Sequence, residues 1–317
     1  MSGYWSIGPV SVQNFVAACE CLYQAAPEPG RSRQVREMAA ALLTGELPSR
    51  YFFAAVDDDG SIAGVLWAMP ARGKSAYVWP PVVSVGVDEF RCASDLLRES
   101  GRIFDADQLV FSQCLIGESP LPEEVFVAGG YRHVTRLRVM SVSAGELKTK
   151  RVPANGVHSI CYAPELRRRF ADIITRTFTG STDCAILNKD RTGDELLDEY
   201  EPPPEAGAKN WRLYEAKSGE DVGVVLMMPD PGVAACPSSP AAKTVEIGYL
   251  GVVPEQRGRG LGRFLAVDAV AALSLSGETR IRVHVDDVNN YAISVYESIG
   301  FRGEDSAIVR IRRRFGT

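Results

Sequence analysis

Apolar positions along this chain fall into short strand-length runs alternating with stretches of helical spacing, and a similar succession occurs twice. In the first half, Tyr51 to Val56 and Ser61 to Ala68 read as strands around the turn Asp57-Asp58-Asp59-Gly60. An apolar strand from Tyr77 to Val87 follows, then a helix from Phe90 to Ser100 and a strand from Leu109 to Ile116. A short helix over Pro122 to Gly130 and a strand from Thr135 to Val142 close the half. Residues 141–156 are polar and contain Gly, Pro and Asn, the composition of a linker. Beyond them, Val157 to Tyr162 reads as a strand, Glu165 to Phe178 as a helix, and Leu213 to Met228 as a hairpin around Ser218-Gly219-Glu220-Asp221. From Val245 to Val253 the residues are β-branched, aromatic or small, with Glu246 as the only charge, which predicts a buried strand ended by Pro254. A helix over Arg263 to Leu275 then places Phe264, Val267, Ala271 and Leu275 on one face, with Gly277 as its C-cap. Arg280 to Val285 gives a further strand, a short helix ends at Gly300, and Ile311 to Phe315 reads as an edge strand whose arginines face water.

The repeated order predicts two related domains, residues 1–150 and 151–317. A chain of 317 residues with 45% hydrophobic content has enough apolar material for two cores. The formal charge of −5 gives no electrostatic argument for nucleic acid, where a basic face would be needed. No apolar run approaches the length of a membrane span and the N-terminus has no signal-peptide pattern, so cytoplasmic residence without a membrane partner is the expectation. Seven scattered cysteines and three histidines show no metal-ligand spacing, so reduced, mostly buried thiols and no metal are expected. None of His133, His158 and His284 has a context that marks it as a base for a catalytic cysteine.

The chemistry is concentrated between the predicted strand ending at Val253 and the following helix, where Arg257, Gly258, Arg259, Gly260, Leu261 and Gly262 are consecutive. Glycines there let successive backbone amides approach phosphate oxygens, and the helix N-terminus adds partial positive charge. A tight turn with solvated arginines would have the same composition. The dinucleotide-binding spacing and the P-loop spacing are both absent. The pattern Arg257-x-x-Gly260-x-Gly262 resembles the acetyl-CoA signature of the GNAT superfamily of N-acetyltransferases. Downstream, Asn289, Ala292, Val295, Tyr296, Gly300 and Phe301 match that superfamily's second element position by position. By itself, Tyr296 would read equally as a core tyrosine on an amphipathic helix.

The resemblance implies an α/β (α+β) fold of two GNAT-like domains, each a mixed, splayed, mainly antiparallel sheet flanked by helices. It implies acetyl-CoA as co-substrate, its pantetheine pairing with the bulged strand near Leu250, Val252 and Val253. Arg257 would engage the pyrophosphate, Arg259 the 3′-phosphate or solvent, and Asn289 and Ala292 would shape the second wall. Glu246 would take the amine's proton directly or through water, a backbone amide near Val252 or Val253 would serve the oxyanion, and Tyr296 would protonate the leaving thiolate. A glutamate on an exposed strand face or in an ion pair is the alternative for Glu246. The first half has prolines and Asp88-Glu89-Phe90-Arg91 where the cradle should fall, so it reads as a degenerate domain.

The acceptor is expected to be a small-molecule or peptide amine bound near residues 170–211 and 229–243, with the protein a monomer or homodimer. Carboxylates at Asp194, Glu195, Asp198, Glu199, Glu201 and Glu205 read either as an acidic mouth for a cationic amine or as a solvated face. Pro231 to Pro240 reads as a loop able to cover the cleft. Two other functions fit the same residues. One is a non-catalytic acyl-CoA sensor, which would need neither Glu246 nor Tyr296. The other is an acyltransferase for an amino-sugar or thiol-bearing amine, similar to the tandem mycothiol synthases in length and in having one active half.

Overall fold

A computed structural model describes residues 5–71, 74–116, 121–148, 156–184, 191–200, 210–229, 244–273 and 279–314. Gly277, Leu275, Glu201, Glu205, Phe315 and the stretch 231–240 lie outside the described residues. The chain divides into one unit of residues 1–134 and 308–317 and another of residues 135–307.

The first half runs β1 (Trp5–Pro9), α1 (Phe15–Leu22), α2 (Gly30–Thr44), β2 (Phe52–Asp57), β3 (Ile62–Ala71), β4 (Ser75–Val78), β5 (Val82–Val83), α3 (Glu89–Ala106), β6 (Phe111–Ile116), α4 (Glu123–Ala128) and β7 (Arg132–Ser143). The second half repeats this order without a counterpart of β5: β8 (Val157–Cys161), α5 (Arg167–Phe178), α6 (Gly193–Tyr200), β9 (Trp211–Ala216), β10 (Asp221–Pro229), β11 (Thr244–Val252), α7 (Leu261–Ala272), β12 (Arg280–Asp286), α8 (Asn290–Ser298) and β13 (Arg302–Arg313). The order expected from the apolar pattern is therefore present twice.

The units do not follow the division at residue 150. Ser141, Val142 and Ser143, read as the start of a linker, are the end of β7 and pair antiparallel with Arg282, Ile281 and Arg280 of β12. Residues 135–143 thus belong to the second unit, while Ile308 to Arg313 of β13 pair with β6 in the first. Each half contributes its last strand, or part of it, to the other unit.

In the first unit, β1, β2, β3 and β4 are antiparallel neighbours, β4 and β6 run parallel, and the end of β13 closes the order. The strand expected over Tyr77 to Val87 stops at Val78, because Pro80 and Pro81 have no amide hydrogen for a ladder. Only Val82 and Val83 resume pairing, against Val65 and Gly64 of β3. Helix α3 is capped by Asp88, whose carboxylate accepts from the Arg91 amide at 3.1 Å. Of the arginines expected to be solvated on the last strand, Arg313 is exposed but Arg312 is buried at 8% exposure, and Arg310 just before them is 3% exposed. Arg310 Nε donates to Glu123 at 2.8 Å with its guanidinium 4.1 Å from the Phe126 ring centroid. Arg312 Nη1 donates to Asp105 at 3.0 Å, and its stem lies against Gly101, where a Cβ would come within 2.5 Å of Nε.

The second unit orders its strands β7-β12-β11-β10-β9-β8, all antiparallel neighbours except β11 and β12. Its core takes Phe170, Ile173 and Ile174 from α5, Leu196 and Leu197 from α6, and Leu265, Ala266 and Val270 from α7. On α7 the buried face is therefore displaced from the expected one, and Ala271 is exposed. The helix begins at Leu261, two residues earlier than its pattern predicts. No helix among the described residues is long and apolar enough to cross a membrane.

Replacing Arg310 with Ala should lower the unfolding free energy by about 3 kcal/mol, since it removes a desolvated ion pair, a cation–π contact and a packed stem. A denaturant titration measures this, and an unchanged midpoint would contradict the buried role.

Candidate active site

Parallel pairing of β11 and β12 covers only Thr244 to Ile247 against Arg280 to Val283. On its other edge, β11 stays paired with β10 as far as Val252, with a bulge that leaves Gly248 between the partners of Met227 and Leu226. Beyond Ile247 and Val283 the two parallel strands part. A cavity of about 450 Å³ opens there, bordered by Gly248 to Val252 on one side and Val283 to Val285 on the other.

The wall behind β11 is built by close approach. Gly251 has no room for a side chain, because a Cβ would lie 2.6 Å from Thr177 Oγ1 at the end of α5. That hydroxyl lies 2.6 Å from the Tyr249 hydroxyl, and Tyr200 donates to the Gly248 carbonyl at 3.0 Å. The far end of β12 is held differently. The Asp286 amide donates to Asp183 Oδ1 at 3.1 Å, and Asp286 in return accepts from the Cys184 amide at 3.1 Å and the Thr135 hydroxyl at 2.8 Å. Asn289 caps α8 by accepting from the Ala292 amide at 3.1 Å, while its side-chain nitrogen reaches Asp183. Burial raises the Asp183 carboxyl pKa against these hydrogen bonds, with repulsion from Asp286 adding to the rise.

The glycine segment has the geometry its composition suggests. After Pro254 the chain makes one 3₁₀ turn, and Gly258 and Gly260 take φ of +74° and +76°, values that residues with a Cβ adopt at a cost. From Gly258 to Arg263 no backbone amide donates to a protein acceptor among the described residues, and the first intrahelical bond is Phe264 to Gly260. Six amides at the N-terminus of a twelve-residue helix are therefore available to an anion. Gly258 and Gly262 line the cavity, whereas Arg259, Gly260 and Leu261 do not.

Arg257 departs from expectation, whereas Arg259 takes the solvent alternative expected of it. Arg257 does line the cavity, but its guanidinium is committed to three main-chain carbonyls: Val252 at 3.0 Å, Thr179 at 2.8 Å and Thr177 at 2.8 Å. It ties the exit of β11 to the end of α5, and its fork matches carbonyls, not phosphate oxygens. Arg259 is exposed and donates to Gln256 at 3.2 Å. The oxyanion donor expected near Val252 or Val253 is also displaced. Val253 is buried, lies outside the cavity and donates its amide to Val222 at 3.1 Å, and Val252 pairs with Gly223. The irregular backbone is at Gly248, so the open strand edge begins there. Leu250 and Val252 do border the cavity.

Asn289, Ala292 and Tyr296 all reach it from α8. The Tyr296 ring packs 5.2 Å from Phe301, and its hydroxyl has no hydrogen-bond partner among the described residues. Burial, followed by the charge of Asp183, raises its pKa well above that of an ordinary tyrosine. It is therefore a neutral phenol across the physiological range. Glu246 is 8% exposed and stands behind the cavity lining, not in it. Its Oε1 is 2.9 Å from Nδ1 of His284, which does line the cavity, and its Oε2 is buried without a partner. His284 is thus a site residue that sequence reasoning passes over. The alternation of Arg280, Arg282, His284 and Asp286 on one face of β12 is the signal that carries it.

Among the described residues the carboxylates do not form an acidic mouth. Asp194 and Asp198 pair with Arg167, Glu195 accepts from the Thr192 amide, and Glu199 pairs with Arg191, all away from the cavity. Among the described residues no group of three or more His, Cys, Asp or Glu could hold a metal ion.

Residues 184–301 match the Acetyltransferase (GNAT) family model. A mycothiol acetyltransferase of Beutenbergia cavernae is 36% identical over 106 residues, covering 31% of this chain and 36% of that protein. One of Thermobispora bispora is 43% identical over 56 residues, 18% of this chain and 19% of that protein. The matched stretches thus span well under two thirds of these relatives. Among solved structures, a GCN5-related N-acetyltransferase from Sphaerobacter thermophilus superposes with a TM-score of 0.63 at 17% identity, covering 99% of this chain and 97% of that one. A tandem GNAT protein from the clavulanic acid biosynthesis pathway superposes at 0.53 with 13% identity, over 99% and 100% of the two chains. The splayed strands and the free amides agree with these likenesses: residues 184–301 match the GNAT family model, and the chain shares its fold with GCN5-related N-acetyltransferases.

Proposed function

We propose that this protein is an N-acetyltransferase that moves the acetyl group of acetyl-CoA to a primary amine. The observation that carries this reading is the run of amides from Gly258 to Arg263, unpartnered among the described residues, two of which, at Gly258 and Gly262, line a cavity between two parted parallel strands. The amides and the positive end of α7 would hold the pyrophosphate. The open edge of β11 from Gly248 onward would pair with the amide-bearing pantetheine arm, as an extended strand would, and donate to the thioester oxygen as it becomes an oxyanion. One such donor is commonly worth about 3 kcal/mol of transition-state stabilisation.

An ammonium cannot attack until it loses a proton, and Glu246 is the carboxylate on that side of the site. As nitrogen bonds to the carbonyl carbon, the C–S bond breaks, and Tyr296, kept neutral by burial, gives its proton to the departing sulfur. The tyrosine recovers a proton from the amide nitrogen being formed. One proton passes to solvent in each turnover.

An amino-sugar or thiol-bearing acceptor is the second reading, and the relatives named mycothiol acetyltransferase favour it. The first half serves as a supporting domain. Where α7 offers free amides, α3 has its N-terminus filled by the Asp88 carboxylate with Glu89 beside it, which repels phosphate.

Incubating the full chain with acetyl-CoA and glucosamine, spermidine or lysine should release free thiol in proportion to acetylated amine. Tight acetyl-CoA binding with no release from any amine would favour the sensor. Calorimetry should find one acetyl-CoA per chain; two would show that the first half retains a site.

Gly260→Val should weaken that binding at least about tenfold by disturbing the left-handed turn, while Arg259→Ala should change it less than about threefold. Arg257→Lys should behave like Arg257→Ala, each costing about 2 kcal/mol of stability in thermal unfolding, since an ammonium cannot serve three diverging carbonyls. Full retention by lysine would mean that only the charge matters. Tyr296→Phe should lower kcat by about 100-fold with acetyl-CoA affinity nearly unchanged.

A further inference from the structure

We infer that His284 is the base that takes the acceptor's proton, and that Glu246 acts through it as the carboxylate that fixes the ring. This rests on the acetyl-transfer reading and names the group that stands between Glu246 and the cavity. Glu246 lies behind the cavity wall, 8% exposed, and His284 lies in the wall. The two come from adjacent parallel strands. Because Glu246 pairs with Arg282, the residue two further along β12 on the same face is His284, and the ring reaches back to the carboxylate at 2.9 Å.

That contact fixes the tautomer. A carboxylate oxygen can only accept, so Nδ1 carries the hydrogen and the lone pair is on Nε2. Nε2 has no protein partner among the described residues, and the side chain retains 24% exposure. The buried carboxylate in turn has one hydrogen bond, that from the ring, and its second oxygen has none. A buried anion with so little support is costly, and a positive charge forming on the imidazole is what would offset it. The step balances: Nε2 accepts one proton from the ammonium, the resulting imidazolium is held by Glu246, and the freed amine supplies the electron pair of the new C–N bond. The imidazolium then returns its proton to water at the cavity mouth.

The test uses the full-length chain with acetyl-CoA and glucosamine, spermidine or lysine as acceptor. His284→Gln should lower kcat by about 100-fold with the KM for acetyl-CoA within twofold. Glu246→Gln should lower it less, and the double variant should be no slower than His284→Gln, because a residue acting through another adds nothing once that other is gone. A Glu246→Gln variant at least as slow as His284→Gln, with the double variant slower than both, would make Glu246 the direct base and overturn the proposal. Acetyl-CoA affinity by calorimetry confirms that each variant is folded, and Glu246→Asp should recover part of the rate. Nitrogen-15 NMR of the wild-type imidazole provides a readout that needs no turnover. The Nδ1–H tautomer is expected, and an Nε2–H tautomer would sink the inference even in an active enzyme. A wild-type chain that acetylates none of the amines refutes acetyl transfer itself, and the base with it. Normal turnover by His284→Gln refutes the base alone.

Discussion

Between Ile247 and Val283 the hydrogen-bonded ladder of β11 and β12 stops, and each strand continues without the other. Parallel strands inside a sheet normally stay together, because an exposed edge leaves main-chain donors and acceptors unsatisfied. Here the parting is enforced from both sides. The extra residue at Gly248 throws β11 out of step while β10 holds it, and the Asp286 amide is taken by the Asp183 carboxylate and not by a strand. The resulting wedge determines where everything else can be. It gives the cavity its two walls, exposes a strand edge to an extended ligand, and leaves His284 facing the opening with Glu246 behind it.

Positive charge enters this site in an unexpected form. Among the described residues, the one guanidinium bordering the cavity, that of Arg257, bonds to three backbone carbonyls at the end of α5 and the last residue of β11. Anion affinity is then left to neutral groups, six amides and a helix dipole, whose orientation the clamp maintains. Backbone donors cost no side-chain entropy when they bind and cannot swing away. For the pyrophosphate proposed as ligand, which would be gripped and released in every cycle, a rigid array of partial charges suits better than a mobile full charge.

Much of this is legible in the residue pattern. The strand, the glycine turn and the two helices around the cavity are encoded locally, so Gly258, Gly262, Asn289, Ala292 and Tyr296 are found where their spacing places them. What escapes depends on partners distant in sequence. His284 has no meaning by itself and acquires one only when parallel pairing brings Glu246, 38 residues away, beside it. The clamp at Arg257 escapes because main-chain carbonyls have no sequence signature. The stretch Ile311 to Phe315 reads as an edge strand with solvated arginines, yet Asp105 pairs with Arg312 and that side chain is buried. The carboxylates of α6 leave two readings open, and pairing with local arginines and a cap settles Asp194, Glu195, Asp198 and Glu199 away from the cavity.

The two halves share an element order, so their difference must come from few residues. In each, a strand parallel to its neighbour leads to a helix whose first turn could receive an anion. In the second half that turn is reached through glycines at positive φ, and nothing among the described residues satisfies its amides. In the first, two prolines end the strand after Val78, Val82 and Val83 rejoin the sheet, and Asp88 closes the helix with its own carboxylate. An N-cap of this kind stabilises a helix by about 1 kcal/mol, a gain unavailable to a helix whose amides must stay open for a ligand. Stability and ligand binding thus compete for the same hydrogen-bond donors. The first half satisfies the Arg91 amide internally, and the second leaves its amides without partners among the described residues at the site where the chemistry is proposed.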